Sequence, residues 1–163
     1  MTVILDNHRS EYDPFRESLV HPMHLDFLDY WRHIAPPVGL PGLRELEPID
    51  IPRLLPWILL LDVTGTALRR RFRIRLMGTG AVQRSGADST GRWLDEAVTG
   101  HQLQTLTEHL TAAAHGGEPV RYLSHSMVKG REYMAIDTLA LPLADNGVDV
   151  DMLMLLSVEP VIR

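Results

Sequence analysis

Histidine is the residue of this sequence with the widest chemical potential, because an imidazole ring can bind a metal, transfer a proton or change its charge near neutral pH. The chain has 8 histidines and no cysteine, which excludes disulfides, thiolate metal ligands and cysteine nucleophiles. His21 and His24 flank a proline, and His109 has no second histidine four residues before or after it. We therefore predict no metal site and expect most histidines to be solvated or to cap helices.

His125 and Asp137 are the best candidates for an acid and base pair. His125 alternates with Leu123 and Met127 along one predicted strand, and Asp137 lies in the apolar run of the next strand. If strand pairing brings the two onto one face, they form a pH-sensitive or ligand-fixing element; the alternatives are a satisfied polar pair or exposure to solvent. The serines on either side of His125 point to the opposite face, so no catalytic triad is predicted and we expect no enzymatic activity.

Two glycines, Gly78 and Gly80, follow one predicted strand and precede a helix, which is also the position of a dinucleotide-binding loop. The third glycine of that motif arrives too late, at Gly86, and no parallel β-unit follows it. We therefore interpret the pair as a tight turn.

Arginines alternate with hydrophobic residues just before these glycines. The period of two predicts a strand with hydrophobic residues on one face and arginines on the other. The hydrophobic set is Phe72, Ile74 and Leu76, and the arginine set is Arg71, Arg73 and Arg75. The arginines suit phosphates or an acidic partner, but such a stripe is more often a solvated face or a guard against edge pairing. A net charge of −5 gives no general attraction to nucleic acid.

Helices and strands alternate along the chain in an order that predicts the fold class. Apolar residues at helical spacing predict helices over residues 24–34 and 101–115, with shorter helical stretches between the second and third strands. Alternating or continuous apolar runs predict strands at residues 57–63, 69–77, 120–128, 132–143 and 150–158. We therefore predict an α+β fold, a five-stranded antiparallel sheet with helices on one face and an N-terminal helical extension.

The strands at residues 57–63 and 150–158 are apolar on both faces, so the second face of the sheet needs a cover. Either the helix at residues 24–34 or another subunit supplies it, and we expect a homodimer. The candidate interface residues are Phe27, Leu28, Trp31 and Trp57.

Composition changes divide the chain into an N-terminal part, a main domain and a tail, at residues 1–56, 57–159 and 160–163. The first part holds an irregular arm, the amphipathic helix and a proline-rich connector. No apolar run approaches the ~20 residues of a spanning helix, and the first residues do not resemble a signal peptide. We therefore expect a cytoplasmic protein that does not contact a membrane.

Several short motifs occur in an order that is typical of one protein family. They are Leu40-Pro41, Glu47-Pro48-Ile49-Asp50-Ile51-Pro52, Leu54-Leu55-Pro56-Trp57, the strand at residues 71–79, Thr90-Gly91-Arg92-Trp93-Leu94-Asp95 and Leu139-Ala140-Leu141-Pro142-Leu143. Together with the element order, they resemble a bacterial family of small stand-alone PAS proteins, over residues 24–159. The resemblance implies a PAS fold and a broad sensory role, with a ligand pocket between the helices and the inner face of the sheet.

The resemblance also implies where a ligand would bind. It places Met77 and Trp93 beside the ligand space, with Arg92 as the polar anchor. Two further candidates rest on other grounds: His125 as part of the ligand-fixing element described above, and Met134 because methionine suits an adaptable pocket, although ordinary core is the safer assignment for most such residues.

The same resemblance implies one candidate cofactor. Some PAS sensors bind haem through a histidine of the long helix before the third strand, which makes His109 a candidate haem ligand, although a solvated histidine is the more common case. Cysteinyl-flavin chemistry is excluded because the chain has no cysteine.

Two functions agree with these features. The first is a PAS-type sensory protein that binds a small molecule between helices and sheet and transmits the change through a dimer or partner surface. The alternative is a ligand-free adaptor that docks other proteins through its sheet and N-terminal helix. A collapsed core and a large exposed apolar patch would favour the adaptor, and an open pocket would favour the sensor.

Overall fold

The computed structural model describes residues 13–162 of the chain. Before the first strand come α1 (Pro14–Ser18), α2 (Pro22–Ile34) and the short 3-10 helices Leu43–Glu45, Pro48–Asp50 and Leu55–Trp57. The later elements are β1 (Ile58–Thr66), β2 (Arg69–Met77), α3 (Thr79–Ser85), α4 (Leu94–Ala97), α5 (Gly100–Gly116), β3 (Val120–His125), β4 (Ala135–Leu143) and β5 (Met152–Val158).

Every strand pair in the sheet is antiparallel, and the spatial order is β2-β1-β5-β4-β3. The predicted α+β class and five-stranded antiparallel sheet are confirmed. The predicted third and fourth strands were too long at their shared end, because β3 stops at His125 and β4 starts at Ala135. The residues between them form a loop that is closed by a hydrogen bond from the Ser126 N–H to the Met134 carbonyl oxygen, at 2.8 Å.

Helices cover both faces of the sheet. α5 packs against β3, β4 and β5 on the face that we call the inner face, whereas α2 packs against β4 and β5 on the opposite, outer face. Strand β4 serves both cores, since Leu139 and Leu141 belong to the outer core and Ala140 belongs to the inner core. The sequence left open whether the N-terminal helix or a second subunit covers the second face, and the structure shows that the helix does.

Side chains of α2 dock it onto the outer face. Phe27 and Leu28 are both 0% exposed, and Trp31 is 8% exposed. The indole Nε1–H of Trp31 also donates a hydrogen bond to the Pro142 carbonyl oxygen at 2.8 Å. The helix residues that we proposed for an interface therefore lie in the core of one chain, where they contact its own sheet.

His24 is a polar side chain within this apolar contact, with an exposed fraction of 0%. Its Nε2 lies 3.0 Å from the Leu156 carbonyl oxygen, and because a carbonyl only accepts, Nε2–H is the donor. No hydrogen-bond partner for Nδ1 exists among the described residues. Burial lowers the pKa of His24, although the nearby Asp137 carboxylate acts in the opposite direction. The folded chain therefore favours the neutral ring.

This burial predicts that the protein is less stable in mild acid. The pKa of His24 is lowered in the folded chain, so below pH ~6.5 the unfolded chain binds a proton that the folded chain resists. His21 and Arg121, which also surround the ring, oppose protonation as well. We expect the free energy of unfolding to fall between about pH 8 and about pH 5.5, by at most ~1.4 kcal/mol per pH unit from this group.

Urea unfolding of the wild type and of His24→Gln across this range measures the contribution of His24. The variant should show the shallower pH dependence, because glutamine keeps an N–H donor and does not titrate. Equal slopes for the two proteins would contradict the assignment, since the other histidines are present in both.

A bulge in the hairpin of β1 and β2 reverses the direction of two side chains. Residues 60 and 61 of β1 pair with Leu76 and Ile74, so Arg75 has no partner in the register. The predicted alternation therefore holds up to Ile74 and is wrong at Leu76, which faces outwards and is 47% exposed. Met77 takes the inward direction that Leu76 was expected to have.

Candidate functional site

A cavity of about 400 Å³ lies between the inner face of the sheet and helices α3, α4 and α5. Its apolar lining includes Leu59, Leu61, Ile74, Met77, Leu106 and Leu155. Its polar lining includes Arg84, Ser85, Tyr122, Ser124, Thr138 and Ser157. Small-molecule sites in proteins have volumes of about 300 to 1,000 Å³ and a similar mixture of apolar walls and a few polar groups.

Strand register places the apolar part of the lining. Leu59 lies opposite Met77 on β2 and opposite Leu155 on β5, and residues opposite each other in an antiparallel pair share a face. Helix α5 covers them with Leu106 and Leu110, which are four residues apart and therefore lie on one side of the helix. One half of the cavity is thus hydrophobic on the side of the sheet and on the side of α5.

Register also aligns Tyr122, Thr138 and Ser157, which we call the hydroxyl row. Tyr122 pairs with Thr138 across β3 and β4, and Thr138 pairs with Ser157 across β4 and β5. The Thr138 and Ser157 hydroxyl oxygens are 2.8 Å apart, and the nearby Thr138 side chain acts to lower the pKa of the Tyr122 hydroxyl. Burial raises the pKa of the Tyr122 hydroxyl, so it remains protonated and able to donate.

Arg84 of α3 stands at the Ser157 end of the hydroxyl row. Its Nη1 donates a hydrogen bond to the Ser157 carbonyl oxygen, and its guanidinium carbon lies 4.7 Å from the centroid of the Trp57 ring. Burial lowers the pKa of this arginine, and Glu159 acts in the opposite direction. Within the described residues, no carboxylate lies within 4.0 Å of its guanidinium nitrogens.

Gly78 and Gly80 allow α3, which carries Arg84, to pack closely against the 3-10 helix Leu55–Trp57. A Cβ at Gly80 would lie 2.8 Å from carbon atoms of the Trp57 ring, and one at Gly78 would overlap the Leu55 and Pro56 carbonyl oxygens. The two glycines thus form a close-packed turn into α3, which agrees with the turn that we predicted there.

Known structures share this arrangement of sheet and helices, although no family model and no curated protein matches the chain. The PAS domain of BvgS from Bordetella pertussis superposes with a TM-score of 0.52 at 16% identity, over 71% of this chain and 88% of that one. A PAS domain from Colwellia psychrerythraea gives a TM-score of 0.50 at 11% identity, over 71% of this chain and 98% of that one. The chain has the PAS fold.

A light-oxygen-voltage domain, studied with a flavin analogue, has the same fold at 12% identity, with a TM-score of 0.50 over 69% of this chain and 83% of that one. Identities this low extend the likeness to the fold only, so the PAS fold identifies neither a ligand nor an activity for this chain. The cavity must be interpreted from its own residues.

Three of the predicted site residues line the cavity of this PAS fold: Met77, Arg92 and His125. The bulge at Arg75 turns Met77 inwards, and His125 borders the cavity at the end of β3. Arg92 is exposed and donates a hydrogen bond from Nη2 to the Glu96 carbonyl oxygen at 2.8 Å. Trp57, which we proposed for an interface, also lines the cavity.

Trp93 lies outside the lining because of its pairing with the edge of the sheet. It forms an isolated antiparallel bridge with Arg73, which gives it the outward direction of that residue. The residues on either side of it, Arg92 and Leu94, point the opposite way and do line the cavity. Trp93 instead lies below the guanidinium of Arg71, at 4.1 Å from the ring centroid.

The arginine stripe holds this segment against the free edge of β2. Arg71 donates to both carboxylate oxygens of Asp95, at 2.8 and 2.9 Å, and Arg73 donates to the Gly91 carbonyl oxygen at 3.0 Å. Backbone hydrogen bonds between Ile74 and residues 91 and 92 continue the contact. Of the alternatives for the stripe, the structure supports protection of the edge strand.

His109 and Met134 are the other predicted residues outside the lining. The ring of His109 stacks on that of Tyr122, with centroids 4.6 Å apart and an interplanar angle of 5°. The His109 ring is thus held against Tyr122 and does not line the cavity, so it is not positioned to bind a haem iron there. Met134 is held in the loop after β3 by its backbone, and its N–H donates to the Arg131 carbonyl oxygen at 2.9 Å.

His125 and Asp137 do not form the predicted pair. Register sets His125 opposite Ala135 and Asp137 opposite Leu123, so the two residues are offset by two positions along the strands. Asp137 instead accepts two hydrogen bonds from Arg121, at 2.8 and 2.7 Å. Of the alternatives that the sequence left open, Asp137 is therefore part of a satisfied polar pair, and its partner is Arg121 because the register of β3 and β4 is set by contacts that a single strand does not show.

The hydroxyl row and Arg84 are the site residues that sequence reasoning missed. The hydroxyl residues lie on three strands, and only the register aligns them. Arg84 belongs to none of the sequence motifs. One signal that indicates it is its position on the helix that begins at the two close-packed glycines.

Residues 13–162 contain neither a metal-binding cluster nor a membrane-spanning helix. No group of three or more His, Asp or Glu side chains there is arranged to hold a metal ion. No helix in the same range is both long enough and apolar enough to cross a membrane.

Proposed function

We propose that the chain is a PAS-type sensory domain that binds a small molecule in the cavity between the sheet and α3 to α5. The observation that supports this most strongly is the cavity itself, which is about 400 Å³ in volume and combines apolar walls with a polar end. A collapsed core would instead favour a domain that only docks proteins.

The loop at residues 126–134 is the element that would carry the change to the surface. Ser126, Met127 and Val128 of this loop line the cavity. Met127 is also 45% exposed, and Tyr133 of the same loop is 80% exposed. A ligand that prefers one arrangement of the loop would therefore alter an exposed apolar surface, which a homodimer or a protein partner would contact.

The adaptor function is the weaker alternative. It would use the same exposed residues, together with Leu123 on β3, which is 58% exposed. The outer face of the sheet and the apolar side of α2, which we expected an adaptor to use, are buried against each other. We also propose that the protein is not catalytic, because no Asp or Glu in the described part of the chain lines the cavity to complete an acid and base pair with His125.

Native mass spectrometry tests the proposal. We expect the protein, after incubation with a small-molecule extract of its expression host, to carry extra mass that is lost on denaturation. Val98→Trp should abolish the bound mass, because Val98 lines the cavity and an indole would fill part of it. Val148→Trp is the matched control and should retain it, because Val148 is 76% exposed and outside the lining.

Two results would contradict ligand binding in this cavity. One is a wild type that carries no extra mass with or without the extract. The other is equal extra mass in both tryptophan variants, since a ligand bound elsewhere would ignore the filled cavity.

A further inference from the structure

The charges that line the cavity all have one sign. Its described lining contains the arginines Arg84 and Arg92 and the titratable His125, but no Asp or Glu. The protein as a whole has a net charge of −5, so the charge of the lining is opposite in sign to the net charge of the chain. A ligand with negative charge would be complementary to such a lining.

Arg84 is the cation best placed to bind an anion. Its contacts with the Ser157 carbonyl oxygen and the Trp57 ring hold the guanidinium against the cavity wall. They employ one nitrogen and one face of the group, and among the described residues no hydrogen bond occupies its other nitrogens. A guanidinium that is already oriented and partly desolvated binds a carboxylate with little further loss of side-chain freedom.

The hydroxyl row ends beside this guanidinium. Ser157 supplies the carbonyl oxygen that Arg84 contacts and the hydroxyl that meets Thr138. When Thr138 donates to Ser157, the hydrogen of the Ser157 hydroxyl is left for an acceptor in the cavity. Ser157 then offers a hydroxyl donor on the same residue whose carbonyl oxygen holds Arg84, so both kinds of donor are available to one anionic group.

The rest of the lining indicates the polarity of the remaining part of the ligand. Leu59, Leu61, Leu106 and Leu155 surround the space away from the hydroxyl row, and they offer no polar partner. Arg92, the second arginine, is exposed and already donates to the Glu96 carbonyl oxygen. The site therefore matches one negative charge with an apolar body, rather than a phosphate with two charges.

Resting on the proposed function, we propose that the cavity binds a small amphipathic carboxylate, with its carboxylate on Arg84 and the hydroxyl row and its apolar body between β1, β5 and α5. This assigns a ligand class that is defined by charge as well as shape. A neutral or cationic molecule of the same size would fill the apolar half and offer no anionic acceptor to the other guanidinium nitrogens of Arg84.

Three probes with the same alkyl chain test the charge preference. Octanoate, 1-octanol and octylamine are titrated into isotopically labelled protein below their aggregation limits, and backbone amide shifts give each dissociation constant. We expect octanoate to bind about tenfold or more tightly than 1-octanol, since a hydrogen bond to a charged group contributes more than a neutral one. Octylamine should bind most weakly.

Variants at Arg84 identify the source of the preference. Arg84→Gln should lower the octanoate affinity to that of 1-octanol and leave the 1-octanol affinity unchanged, which also shows that the variant is folded. Arg84→Lys should keep part of the preference through its charge. Arg69→Gln, at an exposed arginine outside the lining, should behave as the wild type.

Equal affinities for octanoate and 1-octanol in the wild type would overturn the carboxylate class and leave small-molecule binding intact. Tighter binding of octylamine, no binding of any probe, or a preference that survives Arg84→Gln would overturn it as well. The proposed function is tested separately, because it would be contradicted by a wild type that carries no extra mass in native spectra, or by equal extra mass in both tryptophan variants.

Discussion

Replacing Arg121 with leucine is expected to lower the free energy of unfolding by about 3 kcal/mol. In the folded chain, Arg121 holds both carboxylate oxygens of Asp137, at 2.8 and 2.7 Å. The Asp137 side chain is only 6% exposed, so the variant would leave a buried carboxylate without its cation. The loss is measured by urea unfolding at about pH 8, where His24 is neutral.

Two further proteins separate the charge effect from the loss of packing. Arg121→Leu combined with Asp137→Leu should recover most of the stability, because replacing both partners by apolar groups leaves no unpaired charge. Arg71→Leu also removes a two-bond contact, but its partner Asp95 is 42% exposed, so a much smaller loss is expected. Equal losses at Arg121 and Arg71, or no recovery in the double variant, would contradict this account.

Replacing Gly78 with alanine is expected to cost about 3 kcal/mol of stability, through overpacking. The added Cβ would overlap the carbonyl oxygens of Leu55 and Pro56, which belong to the backbone and cannot rotate away. The Gly78 N–H also donates to the Ile58 carbonyl oxygen at 2.8 Å, so a shift of this turn would disturb the start of β1. Since α3 carries Arg84, we expect octanoate binding to weaken together with stability.

Gly116→Ala is the matched control for this substitution. It lies in the last turn of α5, and no atom of the described chain lies within 4 Å of the position that its Cβ would occupy. Alanine favours helix over glycine, so a change between zero and a gain of about 1 kcal/mol is expected. Comparable losses in the two variants would show that the carbonyl contacts at Gly78 tolerate a methyl group.

Residues on β2 show how far local pattern carries a prediction. The period of two correctly indicated a strand and placed Ile74 in the core. It was wrong at Leu76, because the extra residue Arg75 is accommodated by a bulge that only the partner strand reveals. The same bulge turns Met77 into the cavity lining, which the alternating pattern by itself did not predict.

Trp93 and Arg92 show the same limit at the site. Both were placed beside the ligand space by their motif, and consecutive residues of an extended segment point in opposite directions. The bridge to Arg73 directs Trp93 outwards and Arg92 inwards. That bridge joins positions 20 apart in sequence, a contact that neither hydrophobic period nor residue type encodes.

The sequence by itself determined the order of helices and strands, the five-stranded antiparallel sheet and the close turn at Gly78, because hydrophobic period and glycine depend on local geometry. Tertiary structure decided that α2 covers the outer face, that Asp137 pairs with Arg121, and that the hydroxyl row meets Arg84. Each of these is a matter of register or docking between distant segments. Their relative placement is selected by the packing energy of the whole chain, which no single segment contains.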